Sequence, residues 1–154
     1  MTSNPAERPP PVRPALLLLA LGRIVREEVE RALEAQGLSL RHLSALGHLS
    51  REPGLSYSAL GRRAGVTAQS MQATVRQLEQ ADAVRRVTPA GRGRTAELRV
   101  TETGRRLLRE MNHAVGSVET PLLDGLTAEE QAGLGTLLHR LLARHLGAET
   151  PDRF

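Results

Sequence analysis

The chain has 154 residues, room for one domain with extended terminal elements, and at 40% apolar and 25% charged it has the composition of an ordinary globular protein. Its 21 basic residues are all arginine and face 17 acidic ones, a formal charge of +4 with a sequence pI near 11.0. Cysteine is absent, which excludes a disulfide framework, a thiolate zinc site and a thiol redox sensor.

Residues 1–14 contain five prolines (5, 9, 10, 11 and 14) and read as an extended arm. Pro14 suits the first position of a helix expected from Ala15 to about Gln36, with Gly37 as its stop. The run Ala15–Leu21 is apolar on all sides but only seven residues long, too short to span a bilayer. Arg8 and Arg13 ahead of it give a faint likeness to a secretion signal. No small-residue cleavage site follows, and Arg23, Arg26, Glu27 and Glu28 come next, so a cytoplasmic protein is expected. A lone surface helix would not tolerate such a start; burial against a partner chain resolves it.

Ser39 is placed to cap a second helix, 40–50, with Leu40, Leu43, Leu46 and Leu49 inward and Pro53-Gly54 as its break. Ser56 opens a short helix, 57–64, with Leu60 and Ala64 inward. Gly65 supplies a tight bend, and Thr67 caps the next helix, 68–81. On that helix Met71, Val75 and Leu78 form one buried stripe at i, i+4 and i+7. Gln69, Gln72, Ala73 and Arg76 form the opposite one, small or hydrogen-bonding and free of acids. Two helices joined by a four-residue bend, the second with this outer face, describe a helix-turn-helix.

Val84–Thr88 and Ala96–Val100 are strand-like and flank Pro89-Ala90-Gly91-Arg92-Gly93-Arg94, a loop with two arginines at its tip, which reads as a β-hairpin wing. Thr101 caps a long helix from Glu102, with Leu107, Leu108, Met111, Val115 and Val118 as its stripe, and Pro121 is expected to bend or end it. Thr127 and Glu130 form a capping box. The last helix repeats leucine at 134, 137, 138, 141, 142 and 146. The fold class is therefore mainly α with a small β wing. Residues 38–101 form a winged helix-turn-helix, 15–37 and 102–146 dimerisation helices, and 147–154 a tail.

Charge is concentrated where the wing and helix-turn-helix lie. Positions 60–100 hold eight arginines against three acids, a local +5, whereas the rest of the chain holds thirteen arginines against fourteen acids. A basic segment inside a neutral body is the footprint of a polyanion partner. The high pI has a different origin: with no lysine and one tyrosine, almost nothing titrates between the α-amino group and arginine. The arginine-for-lysine bias itself fits codon usage in a GC-rich genome.

Several motifs in this order resemble the MarR family of winged-helix transcriptional regulators. They are Leu38-Ser39-Leu40-Arg41-His42 at the start of the second helix, Leu60-Gly61-Arg62-Arg63-Ala64-Gly65-Val66-Thr67 across the bend, and Leu78-Glu79. Arg94 with Leu98-Arg99-Val100-Thr101-Glu102-Thr103-Gly104 closes the wing, and Leu126-Thr127-Ala128-Glu129-Glu130 opens the last helix. The likeness covers roughly residues 15–146. Two departures stand out: Arg92-Gly93-Arg94 lacks the acid the family places before its wing arginine, and Asp82 replaces the usual glycine after the recognition helix. Aspartate tolerates the left-handed conformation such a turn needs.

The resemblance implies a homodimeric repressor of a pseudo-palindromic double-stranded DNA operator, in which the terminal helices of two chains intertwine. Gln69 and Gln72 suit adenine, Arg76 guanine or a phosphate, and Ala68 or Ala73 a thymine methyl. Thr67 and Ser70 suit phosphates near the helix N-terminus, and Arg92 and Arg94 the minor groove or its phosphates. A small amphipathic or anionic effector would bind near Arg23, His42, Arg109 and His113, although His42 reads first as a hydrogen-bonded packing residue. The five histidines have no i, i+4 pair for zinc, and no nucleophile elbow or phosphate loop is present, so no catalytic residue, metal or cofactor is expected, nor a membrane partner. The competing reading is a protein–protein module docking an acidic partner through its basic wing.

Overall fold

The computed structural model describes residues 13–87 and 97–146, and there the elements follow the expected order. Helix α1 spans Pro14–Glu34, α2 Leu40–Arg51, α3 Tyr57–Ala64 and α4 Ala68–Gln80. Strands β1 (Val84–Arg86) and β2 (Leu98–Val100) follow, then α5 (Glu102–Leu122) and α6 (Ala128–Leu146). No helix among the described residues is long and apolar enough to cross a membrane.

Local chemistry sets most of the boundaries. Pro14 occupies the first turn of α1, where the N–H it lacks would have had no intrahelical partner. The helix stops at Glu34, two residues early, because the turn that follows folds back on it. The Leu38 N–H donates to the Leu33 carbonyl at 3.0 Å, with Gly37 at φ 72° between them. Ser56 and Thr67 cap α3 and α4, accepting from the N–H groups of Ala59 (3.2 Å) and Ser70 (3.1 Å). The bend between them is three residues, Gly65 to Thr67, rather than four, with Gly65 at φ 67°. A side chain at Gly61 would come within 2.9 Å of the Val66 carbonyl, so this glycine is what lets α3 meet the bend.

Three expectations are corrected in detail. The Ser39 side chain makes no cap on α2; its hydroxyl is turned instead to the Nδ1 of His42, at 2.8 Å. Pro121 lies inside α5, which ends one residue later at Leu122, so the proline stands in the final turn and is not itself the stop. The regular strands are shorter than expected, although the Val87 N–H still donates to the Glu97 carbonyl at 2.9 Å beyond the last paired residue.

The two strands pair antiparallel, Val84 opposite Val100, Arg85 opposite Arg99 and Arg86 opposite Leu98. The α2–α3 loop closes one edge through a 2.9 Å bond from the Gly54 N–H to the Leu98 carbonyl. Asp82 does adopt the left-handed conformation, at φ 53°, and turns the chain from α4 into β1. Thr101 then fastens the start of α5: its hydroxyl donates to the Asp82 carbonyl, accepts from the Gly104 N–H, and its N–H reaches the Ala83 carbonyl. Gly104 is buried so tightly against the Ala83 carbonyl that no side chain fits there.

One core results. Leu46 and Leu49 of α2, Leu60 of α3, Met71, Val75 and Leu78 of α4, and Val84 and Leu98 of the strands are almost wholly buried. The second half of α1 joins them through Val29 and Leu33, and α5 through Met111 and Ala114. At roughly 1.5–3 kcal/mol for each large side chain buried, this cluster holds the helix-turn-helix and wing together. Leu16, Leu17, Leu18, Leu19, Leu21 and Ile24 at the start of α1, and Leu137, Leu141 and Leu142 of α6, are exposed.

Candidate nucleic-acid interface

Helix α4 turns Met71, Thr74, Val75 and Leu78 inward and leaves Thr67, Ala68, Gln69, Ala73 and Arg76 exposed, with Ser70 and Gln72 half-buried. The seven residues expected to meet DNA from this helix therefore share its outer side. Thr74, which sequence periodicity left unassigned, is buried, and its hydroxyl donates to the Ser70 carbonyl at 3.2 Å. The Thr67 hydroxyl is already committed, accepting from the Ser70 N–H and donating to the Ser70 Oγ at 3.0 Å. That arrangement leaves the Ser70 hydroxyl proton as the outward donor. Arg76 pairs with no acid among the described residues, and no acid lies in the first turn of the helix. The exposed face is hydrogen-bonding and carries a cation, which suits base edges and phosphates. Arg92 and Arg94 of the wing lie outside the described residues.

Two side-chain links position α4. His42 of α2 sits half-buried with its Nε2 2.8 Å from the Oε1 of Gln77, while its Nδ1 meets Ser39. Because the amide oxygen only accepts, Nε2 carries the proton and Nδ1 accepts from the serine hydroxyl. Burial pushes the His42 imidazole below the usual histidine value of 6.5; the Gln77 hydrogen bond opposes the drop, and Arg41 adds to it. At the other end, the Arg86 guanidinium of β1 donates to the Tyr57 hydroxyl of α3, stands 5.7 Å from that ring's centroid, and lies 3.8 Å from Glu79 of α4. This cluster ties both helices of the bend to the root of the wing. Sequence reading missed it, since residues 57, 79 and 86 share no periodicity; the lone tyrosine beside an arginine-rich strand was the available clue.

The four residues expected to meet an effector divide into two pairs. Arg109 and His113 line an open groove of about 640 Å³ with Gln36, Leu38, Leu107 and Glu110, where the end of the α1–α2 turn faces α5. Arg23 instead lies exposed on α1 in a 2.9 Å ion pair with Glu27, and His42 is occupied between Ser39 and Gln77. Among the described residues no group of His, Cys, Asp and Glu is placed to hold a metal ion.

Residues 36–95, the segment carrying α2–α4 and β1, match the MarR family. Over 125 residues the chain is 37% identical to the HTH-type transcriptional repressor Rv2887 of Mycobacterium tuberculosis, covering 81% of this chain and 90% of that protein. The crystal structure of Rv2887 in complex with DNA superposes with a TM-score of 0.74 at 34% identity, covering 84% of this chain and 98% of the other. Its complex with salicylic acid gives a TM-score of 0.68 at 36% identity over 88% of this chain and 98% of the other.

Proposed function

The chain belongs to the MarR family of transcriptional regulators, DNA-binding proteins rather than enzymes, and from that premise we propose a homodimeric repressor of a pseudo-palindromic operator, released by a small anionic or amphipathic effector. The observation that carries the reading is the outer face of α4. It offers two glutamines, an arginine with no acid partner among the described residues and two alanines on a helix of 13 residues, about 20 Å long and sized for a major groove. The name of the mycobacterial relative and its complex with DNA support repression through DNA binding.

Each residue takes a role from its position. Gln69 and Gln72 read adenine, Arg76 guanine or a phosphate, and Ala68 and Ala73 leave space for thymine methyls. Ser70 donates to a phosphate beside the helix N-terminus, with Thr67 orienting it, and Arg92 and Arg94 grip the flanking minor groove. Dimerisation is supported by the exposed leucines of α1 and α6, which no element among the described residues covers. Two recognition helices about one DNA turn apart then demand an operator with two-fold symmetry.

Salicylic acid in the relative's complex supports an aromatic carboxylate as the effector class. The groove holding Arg109 and His113 offers a guanidinium for the carboxylate and leucines for the ring.

Selection of preferred duplexes from a random pool tests the assignment. Gln72→Ala is expected to relax the preference at one symmetric position, at a cost of about 1–3 kcal/mol in discrimination. Arg94→Ala is expected to weaken all duplexes alike and reduce the salt dependence by about one counterion. An unchanged preferred site in the Gln72 variant refutes the readout role.

A further inference from the structure

The wing root carries a feature that DNA recognition leaves unused. Arg85 and Arg99 stand directly opposite each other on β1 and β2. Side chains alternate along a strand, so both point away from the sheet face whose Arg86 reaches Tyr57 of α3 and Glu79 of α4. Like charges directly opposite on a two-stranded sheet repel. Neither guanidinium has an ion pair or hydrogen-bond partner among the described residues.

These two arginines line a cavity of about 420 Å³ between the outer face of the sheet, the end of α2 and the start of α5. Arg105 of α5 lines it too, held at 2.9 Å by Glu102, the only acid in its wall among the described residues. Three guanidinium groups against one carboxylate leave the cavity a charge of +2. Leu49, Pro53 and Val100 give it apolar sides, and Ser50 and Thr101 contribute polar positions. Guanidinium forks pair with oxyanions through two parallel hydrogen bonds each, so one ligand bearing several anionic oxygens can bridge both strands.

We propose that this cavity is a binding site for a small dianionic ligand, a phosphate or a dicarboxylate, clamped between Arg85 and Arg99. The ligand turns a repulsive cross-strand pair into a bridge and so stiffens the strands flanking residues 88–96. None of its lining residues belongs to α3 or α4, and it is distinct from the groove of Arg109 and His113.

Calorimetric titration of the full chain, without DNA, with inorganic phosphate and separately with succinate tests the proposal, using sodium chloride of equal ionic strength as the blank. Saturable one-site binding of either anion is expected, and which one binds more tightly identifies the source. Arg85→Gln and Arg99→Gln are each expected to weaken it at least about tenfold, the loss of a charge-assisted pair. Because either change relieves the strand repulsion, both variants should melt no lower than the unaltered chain when no anion is added. Absence of binding by both anions, or equal binding by the variants, overturns the proposal. It is also overturned if the double variant binds neither anion less well yet loses about two counterions from the salt dependence of binding to random-sequence DNA, which makes the pair phosphate-backbone contacts.

Discussion

Leucine does opposite things in two parts of this chain. In the winged helix-turn-helix, Leu46 and Leu60 are 0% exposed and part of a continuous core. In α6, which has the more regular leucine repeat, no residue with a described side chain is buried, and Leu137 is 56% exposed. The start of α1 repeats the contrast, with Leu19 at 73% and Leu33, fourteen residues on, at 0%. A 3.6-residue apolar period therefore says that a helix face will be buried, but not against what. The central region completes its core within one chain, whereas the ends leave apolar faces exposed, which the proposed dimer would cover.

Substitutions in the two regions should diverge accordingly. Leu46→Ala opens a cavity in the shared core and is expected to cost about 2–5 kcal/mol, by the same amount at every protein concentration. Chemical denaturation at two widely separated concentrations checks it. Leu137→Glu combined with Leu141→Glu should leave the central region folded but raise the dimer dissociation constant by about 100-fold or more, since each carboxylate would lose water at the interface. Sedimentation velocity reads that change, and an unaltered dimer would mean that another face joins the chains.

The smallest effect sharpens the link between α2 and α4. His42 is held neutral in the fold, its imidazole below the usual 6.5, so as pH falls below 6.5 the unfolded chain takes up a proton that the folded one refuses. Stability contributed by this residue is present above 6.5 and declines as pH falls through the window down to the folded value. His42→Gln is expected to flatten that part of the stability profile, measured by denaturation between pH 7 and pH 5. An identical slope in the variant removes the assignment.

Local features of this fold were legible in the sequence because their causes are local. Thr67 before a polar-apolar split helix, Gly65 at the bend, Asp82 at a left-handed turn and the Thr127–Glu130 capping box each need only neighbouring residues. What escaped was tertiary. Ser39 looked like a cap, but its hydroxyl turns to His42, whose second nitrogen is held by Gln77, 35 residues away. Arg86 found Tyr57, 29 residues earlier, and Gly104 is needed because the Ala83 carbonyl stands where a side chain would begin. Side-chain contacts at such separations leave no period and no spacing to read. The outer face of α4 was legible for the opposite reason: its exposure follows from which residues the helix must bury.

In the proposed repressor the two regions act together, α4 recognising DNA and the terminal helices pairing the chains. The most direct test is the affinity and stoichiometry of the purified chain on the selected duplex, compared with the same duplex with one half-site scrambled. Two chains are expected on the intact site, with a loss of about 100-fold or more on the scrambled one, since one set of base contacts is removed while the phosphates remain. Equal affinity for both duplexes, with one chain bound to each, would contradict it.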